Sequence, residues 1–136
     1  LSAHVLTAIE KNKMGQLTSL DLPPLSDPQG CFIGFCISEE LRRNWTLTLG
    51  GSRRYLYGCI GQRVVDLFIS DSANVFSLQR FEFLTIIPAL RSGGLMLFNN
   101  VSMRFVAFLK TIDAVSYQLV FQEEKRGVVT ALIFKK

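Results

Sequence analysis

Catalysis at a protein site calls for a base, an activated nucleophile or a cluster of metal ligands, and this chain is short of all three. It has one histidine, His4, and three cysteines, Cys31, Cys36 and Cys59. A nucleophilic triad needs a base beside the nucleophile, usually histidine. His4 sits in a helix-forming segment well before every cysteine, which makes it a solvent-facing or packing residue. Cys31 and Cys36 are five apart and would face opposite sides of a strand, a poor spacing for a disulfide or a shared metal. No glycine-rich phosphate loop occurs. All three cysteines lie in apolar runs, where cysteine behaves as a small hydrophobe. Reduced, buried thiols in an intracellular, cytoplasmic setting are therefore expected, with a virion or a membrane surface as the place of action.

Two carboxylates sit in apolar surroundings. Asp66 lies within Val64-Val65-Asp66-Leu67-Phe68-Ile69, and Glu82 lies between Phe81 and Phe83. A pair of acids can run a glycosidase-like mechanism, and an acid in an apolar strand is desolvated, which can mark a site. Arg63 and Arg80 offer the simpler reading of ion-paired or solvated acids. The residues thus point to no catalytic group, no metal and no cofactor, and the chain reads as a non-enzyme.

Positive charge is the more distinctive signal. Lys and Arg number 15 against 11 Asp and Glu, a net charge of +4. Glu39-Glu40 offsets Arg42/Arg43, and Glu123-Glu124 offsets Lys125/Arg126. Uncompensated are Lys11 and Lys13, Arg53 and Arg54, and Lys135 and Lys136. With Tyr55 and Tyr57 beside the arginines, these residues combine charge and stacking surface, the ingredients of single-strand nucleic-acid binding. Basic loops also suit an anionic membrane surface. The eight residues are the expected contact set for an anionic partner.

The elements that position them follow from periodicity. Residues 2–14 read as a helix with Val5, Leu6 and Ile9 as its apolar stripe, Ser2 as a cap and Gly15 as a stop. Pro23, Pro24 and Pro28 make residues 16–30 a connector, in which Leu22-Pro23-Pro24-Leu25 resembles a docking peptide. From Cys31 onward apolar and polar residues alternate with a period of two, as half-buried strands require. Asn44–Leu49 and Arg53–Ile60 flank Gly50-Gly51-Ser52 as a hairpin. Gln62–Ser70 and Leu78–Ile87 are two more strands, Ser92-Gly93-Gly94 is a turn, and 103–112 is strand or helix. Val115–Phe121 and Val128–Phe134 form a final pair around Glu123–Gly127.

The expected fold is mainly β: an antiparallel β-sandwich, jelly roll or partly open barrel of about eight strands with a short N-terminal helix. At 136 residues one domain is expected over 1–136, with 1–15 a helical arm, 16–30 the connector and 31–136 the β body. Charged residues are 19% against about 25% on average, and the eleven phenylalanines exceed what a small core needs. No apolar run approaches the ~18 residues that span a bilayer. The chain opens at Leu1 without Met, so a processed or partial product is expected. Asn44 and Asn100 head glycosylation-type triplets, which chance also supplies.

Together these features predict a non-enzymatic structural protein of the viral coat or matrix type. It would self-associate as a homo-oligomer and touch nucleic acid or an acidic membrane, with no small-molecule substrate. Two other readings stay open: a small β-barrel carrier of an apolar ligand, and a partner-binding adaptor module.

Overall fold

A computed structural model describes residues 1–23, 25–27, 29–30, 32–121 and 129–136. Pro24, Pro28, Cys31 and residues 122–128 fall outside it, and with them one of the two docking-peptide prolines, one cysteine and the Glu123–Gly127 turn. Strands alternate with helices as far as residue 121, in two compact units, Leu1–Cys59 and Ile60–Lys136. The expected antiparallel sandwich or barrel is not what forms; the chain is mixed α/β.

The first unit carries α1 (Ser2–Asn12), β1 (Leu17–Asp21), α2 (Glu39–Arg42), β2 (Trp45–Leu49) and α3 (Ser52–Ile60). The helix expected over 2–14 forms as α1, burying Leu6, and ends at Lys13 in the left-handed conformation. β1 and β2 pair in parallel, from Leu17 with Trp45 to Asp21 with Leu49. A parallel pair needs a crossover, here the long connection containing α2. Trp45 anchors it by donating Nε1–H to Ser19 Oγ at 2.9 Å.

The hairpin expected around Gly50-Gly51 is a strand-to-helix turn instead. Gly50, at φ +146°, donates its N–H to Asp21 O at 2.8 Å, and Gly51 O accepts the N–H groups of Arg54 and Tyr55. A glycine pair serves either turn equally well, because both need backbone that side chains resist. What decides is Leu56, the buried residue of α3, which a helix brings inward once per turn.

The second unit is built of β3 (Val65–Ser70), α4 (Phe76–Ile86), β4 (Leu90–Phe98), α5 (Met103–Leu109), β5 (Val115–Phe121) and β6 (Val129–Lys135). Its sheet runs in the order β3-β4-β6-β5. β3 and β4 are parallel, whereas β6 is antiparallel to both β4 and β5. The strand expected over Leu78–Ile87 is the helix α4. Its buried residues, Gln79, Glu82, Phe83 and Ile86, follow the i, i+3, i+4, i+7 spacing of one helical face. The segment expected as strand or helix near 103–112 is helical, and Ser102 caps it by accepting the N–H of Phe105 at 3.2 Å.

Ser92-Gly93-Gly94 is not a turn between strands. It is an irregularity inside β4: Val65 aligns with Leu90, then Leu67 with Leu95, so the β4 side carries extra residues, as a bulge does. A Cβ on Gly94 would come 2.8 Å from Arg91 O and 2.9 Å from Leu90 Cγ. Gly94→Ala is therefore expected to lower unfolding free energy by about 1–3 kcal/mol, read from the urea midpoint by circular dichroism. An unchanged midpoint would show that the backbone gives way freely there.

Much of the phenylalanine surplus is spent in this unit. Phe98 and Phe105 lie 4.9 Å apart between ring centroids, Phe83 and Phe108 5.6 Å, and Phe68 and Phe98 5.7 Å. These rings join β3, β4, α4 and α5 into one core with Ile86, Leu109, Ala131 and Ile133. Phe32, Phe35 and Phe121 stay exposed.

Candidate functional site

In open α/β sheets, ligands bind beyond the carboxyl ends of parallel strands, where the loops leave the sheet. Within the second unit that place is the end of β3 beside the end of β4. β3 is an apolar run that ends in Ser70 and releases Asp71 and Ser72. β4 ends in Phe98 and releases Asn99 and Asn100. The pairing of Ser70 with Phe98 sets the two polar groups side by side, and Asn99 N–H donates to Ser70 O at 2.8 Å.

Side chains tie the ends together. Asn99 Nδ2 donates to Asp71 Oδ1 at 2.8 Å, and Asn99 Oδ1 accepts from Thr130 Oγ1 of β6 at 3.0 Å. Asn74 Nδ2 reaches Asn100 Oδ1 at 3.3 Å. Asn100 is held at φ +53°, a left-handed conformation that asparagine tolerates better than most residues.

Two polar side chains on one face of α4 fix this arrangement from below. Gln79 is 1% exposed and Glu82 2%, and burial of that degree demands hydrogen-bond partners. Gln79 Nε2 donates to Asn100 O at 3.1 Å, and its Oε1 accepts both the N–H and the hydroxyl of Ser102, at 3.1 and 2.9 Å. Glu82 Oε2 accepts from Ser70 Oγ at 2.7 Å and from Ser72 Oγ at 3.1 Å. Gln79 thus holds the loop after β4, and Glu82 the loop after β3.

The result is a rigid edge that presents one exposed carboxylate, Asp71, among carboxamides and hydroxyls. Such groups orient hydroxyl- or amine-bearing ligands and can take up a proton. Among the described residues no three His, Cys, Asp or Glu are grouped to hold a metal ion. The first unit has a parallel strand end of its own: exposed Asp21 closes β1, and its carbonyl binds the Gly50 turn.

The eight residues expected to bind an anionic partner lie elsewhere. Lys11 and Lys13 are exposed at the end of α1, and Lys13 pairs with Glu10 at 2.6 Å, which holds the Glu10 carboxyl below its ordinary range. Arg53, Arg54, Tyr55 and Tyr57 ride on α3, with the Arg54 guanidinium 5.2 Å from the Tyr55 ring centre. Lys135 is engaged structurally, donating to Ile87 O and Leu90 O at 3.0 and 2.5 Å, and Lys136 follows it at the end of the chain. None of the eight belongs to the polar edge of β3 and β4.

Of the acids, Asp66 pairs with Arg91 at 2.6 Å on the surface, whereas Glu82 is buried in the cluster. Arg80 stacks on Phe108 instead, 5.7 Å from its ring centre. His4 is exposed on α1, Cys36 is exposed rather than buried, and Cys59 is half-buried near Thr48 Oγ1 at 3.6 Å. Sequence reasoning passed over Asp71, Asn99, Asn100 (named only for a glycosylation-type triplet), Gln79 and Thr130. The signal for the first three was a polar run directly after an apolar strand, at 70–72 and again at 99–100.

No protein-family profile matches the sequence, and no curated protein does. Solved structures do. An O-methyltransferase described from Klebsiella pneumoniae superposes with a TM-score of 0.69 at 15% identity, over 90% of this chain and 62% of that one. The O-methyltransferase TomG of Streptomyces achromogenes, involved in tomaymycin synthesis and solved in complex with SAM, gives 0.65 at 13%, over 90% and 63%. An rRNA methylase of Streptococcus thermophilus gives 0.54 at 13%, over 98% and 93%. The chain thus spans less than two thirds of the length of the first two.

At these identities the likeness establishes the fold, that of the methyltransferases. It overturns the non-enzymatic coat or matrix reading, which rested on a β-sandwich that does not form. With it go the expectations of a protein that works by self-assembly on nucleic acid or membrane and of a chain without a small-molecule substrate, since enzymes of this fold bind small molecules such as the SAM seen in TomG.

Proposed function

We propose that this chain serves S-adenosylmethionine-dependent methyl transfer to oxygen. The observation that carries the reading is the parallel β3–β4 edge, whose Asp71, Asn99 and Asn100 are locked by the buried Gln79 and Glu82, on a scaffold similar to O-methyltransferases. When bound, the cofactor supplies an electrophilic methyl group on a positively charged sulfur.

The residues fit such a group in chemical kind. The cofactor carries a ribose diol and an ammonium, both hydrogen-bond donors, and the first unit ends its parallel strand β1 in an exposed carboxylate, Asp21. A strand-end carboxylate is the usual acceptor for ribose hydroxyls in nucleotide-binding α/β folds, and Asp21 is the residue we assign to that contact. Isothermal titration of the chain with S-adenosylmethionine should show saturable binding, weakened about tenfold by Asp21→Asn, the loss of one charge-assisted hydrogen bond. The absence of binding by the unaltered chain sinks the proposal.

A further inference from the structure

We infer that the first unit holds a binding site for a compact primary ammonium with an apolar body, in a cavity on one face of the β1–β2 pair. The site lies within that unit alone and stands without the methyl-transfer reading. The two meet at Asp21, where an ammonium and the cofactor's ribose would exclude one another.

The cavity has a volume of about 200 Å³. Pockets for drug-sized ligands run to about 300–1,000 Å³, so this one admits a single ring with a short chain. Its floor is the sheet. Register pairs Leu17 with Trp45, Ser19 with Leu47 and Asp21 with Leu49, and alternate residues of a strand share a face. Trp45, Ser19, Leu47 and Asp21 therefore line the floor together, with an indole at one end and a carboxylate at the other. At about 3.3 Å of rise per residue, Ser19 and Asp21 stand about 7 Å apart. That span is comparable to the reach from a ring centre, through two carbons and an ammonium, to the ammonium's acceptor.

The roof is the segment around Gly34, and it is pinned. Arg42 donates Nε–H to Ile37 O at 3.0 Å and an Nη2 hydrogen to Gly34 O at 2.9 Å. Gly34 lies so close to the indole that a Cβ there would collide with Trp45 Cη2. A cavity framed by fixed backbone is preformed, so little ordering cost falls on a ligand that enters it. Charge then sets the ligand's sign and direction. Among the described residues that line the cavity, Asp21 is the one with a charged side chain. The Arg42 guanidinium sits 5.9 Å from the Trp45 ring centre, so a cation is repelled from the indole end and drawn to the carboxylate end. Trp45 Nε1–H is already given to Ser19 Oγ, which leaves the indole end apolar, walled by Leu47, Ile33 and Ile37. An ammonium on Asp21 with a hydrocarbon ring against Leu47 and Trp45 satisfies both ends.

Trp45 is the single tryptophan of the chain, so its fluorescence reports on this cavity. Titrating the full chain with 2-cyclohexylethylamine, which does not absorb where indole does, should change that fluorescence saturably in the absence of cofactor. The neutral isostere 2-cyclohexylethanol should bind about tenfold more weakly, the worth of one charge-assisted hydrogen bond. Asp21→Asn should erase the difference, leaving both compounds at the weaker affinity. Ala3→Leu enlarges a side chain of the cavity wall with a residue that helices favour, and it should abolish both titrations. Fluorescence that ignores the amine, an equal affinity for amine and alcohol in the unaltered chain, or binding that survives Ala3→Leu overturns the site. A chain that takes up the amine but not S-adenosylmethionine would count against the methyl-transfer reading and leave this site standing. One that binds the cofactor but not the amine would do the reverse.

Discussion

Truncating Phe105 to alanine should lower unfolding free energy by about 3–5 kcal/mol. The ring is fully buried and lies within 6.1 Å, centre to centre, of Phe83, Phe98 and Phe108. It is thus the point where α4, α5 and β4 meet. Alanine forfeits the transfer free energy of the ring and leaves a cavity that three rigid aromatic neighbours are slow to fill. Urea unfolding followed by circular dichroism measures the loss. Phe105→Met, flexible enough to refill the gap, should recover much of it. Phe121→Ala is the control: at 71% exposure that ring should matter by no more than about 0.5 kcal/mol. A shift for Phe105→Ala no larger than the control's would mean that the core is not organised around this ring.

The second large effect comes from a change of almost no volume. Gln79→Glu keeps the packing of a side chain that is 1% exposed but replaces the donor to Asn100 O with an oxygen. Two acceptors then face each other, and a charge enters the interior with only the Ser102 donors to offset it. The expected loss at neutral pH is about 3 kcal/mol, the scale of an uncompensated buried charge. It should shrink on acidification, because a protonated carboxyl can again donate to Asn100 O. Gln79→Leu removes the hydrogen bonds without adding charge and should cost less, with no such pH dependence. Matching pH profiles for the two variants, measured by thermal melts between neutral and acid pH, would refute this account.

How much of this was legible in the sequence depended on which period each segment allowed. The strand pair expected over Val115–Phe121 and Val128–Phe134 forms as Val115–Phe121 and Val129–Lys135, because each alternation runs for seven residues and admits no helical stripe. Phe76–Ile86 did not. Phe81 and Phe83 alternate as a strand would, but the burial of Gln79, Glu82, Phe83 and Ile86 obeys the helical period. Short apolar runs satisfy both patterns, and only tertiary packing separates them. That one misreading hid the site. With α4 taken for a strand, β3 and β4 could not be a parallel pair, so nothing marked the polar residues at their ends as an edge. Glu82 stood out as an acid in apolar surroundings, and the structure places it as a buried acceptor of the Ser70 and Ser72 hydroxyls. Asp71 escaped notice because an exposed carboxylate in a loop has no sequence signature of its own.

The bracing by Gln79 and Glu82 has a mechanical consequence. Both residues stand one turn apart on α4, so the segments they restrain share a single rigid mount and cannot loosen independently. A molecule that engages one segment raises the free energy of local opening for the other, by linkage through the helix. Cooperativity between two ligands at this edge would then need no change of shape, only a shared loss of breathing.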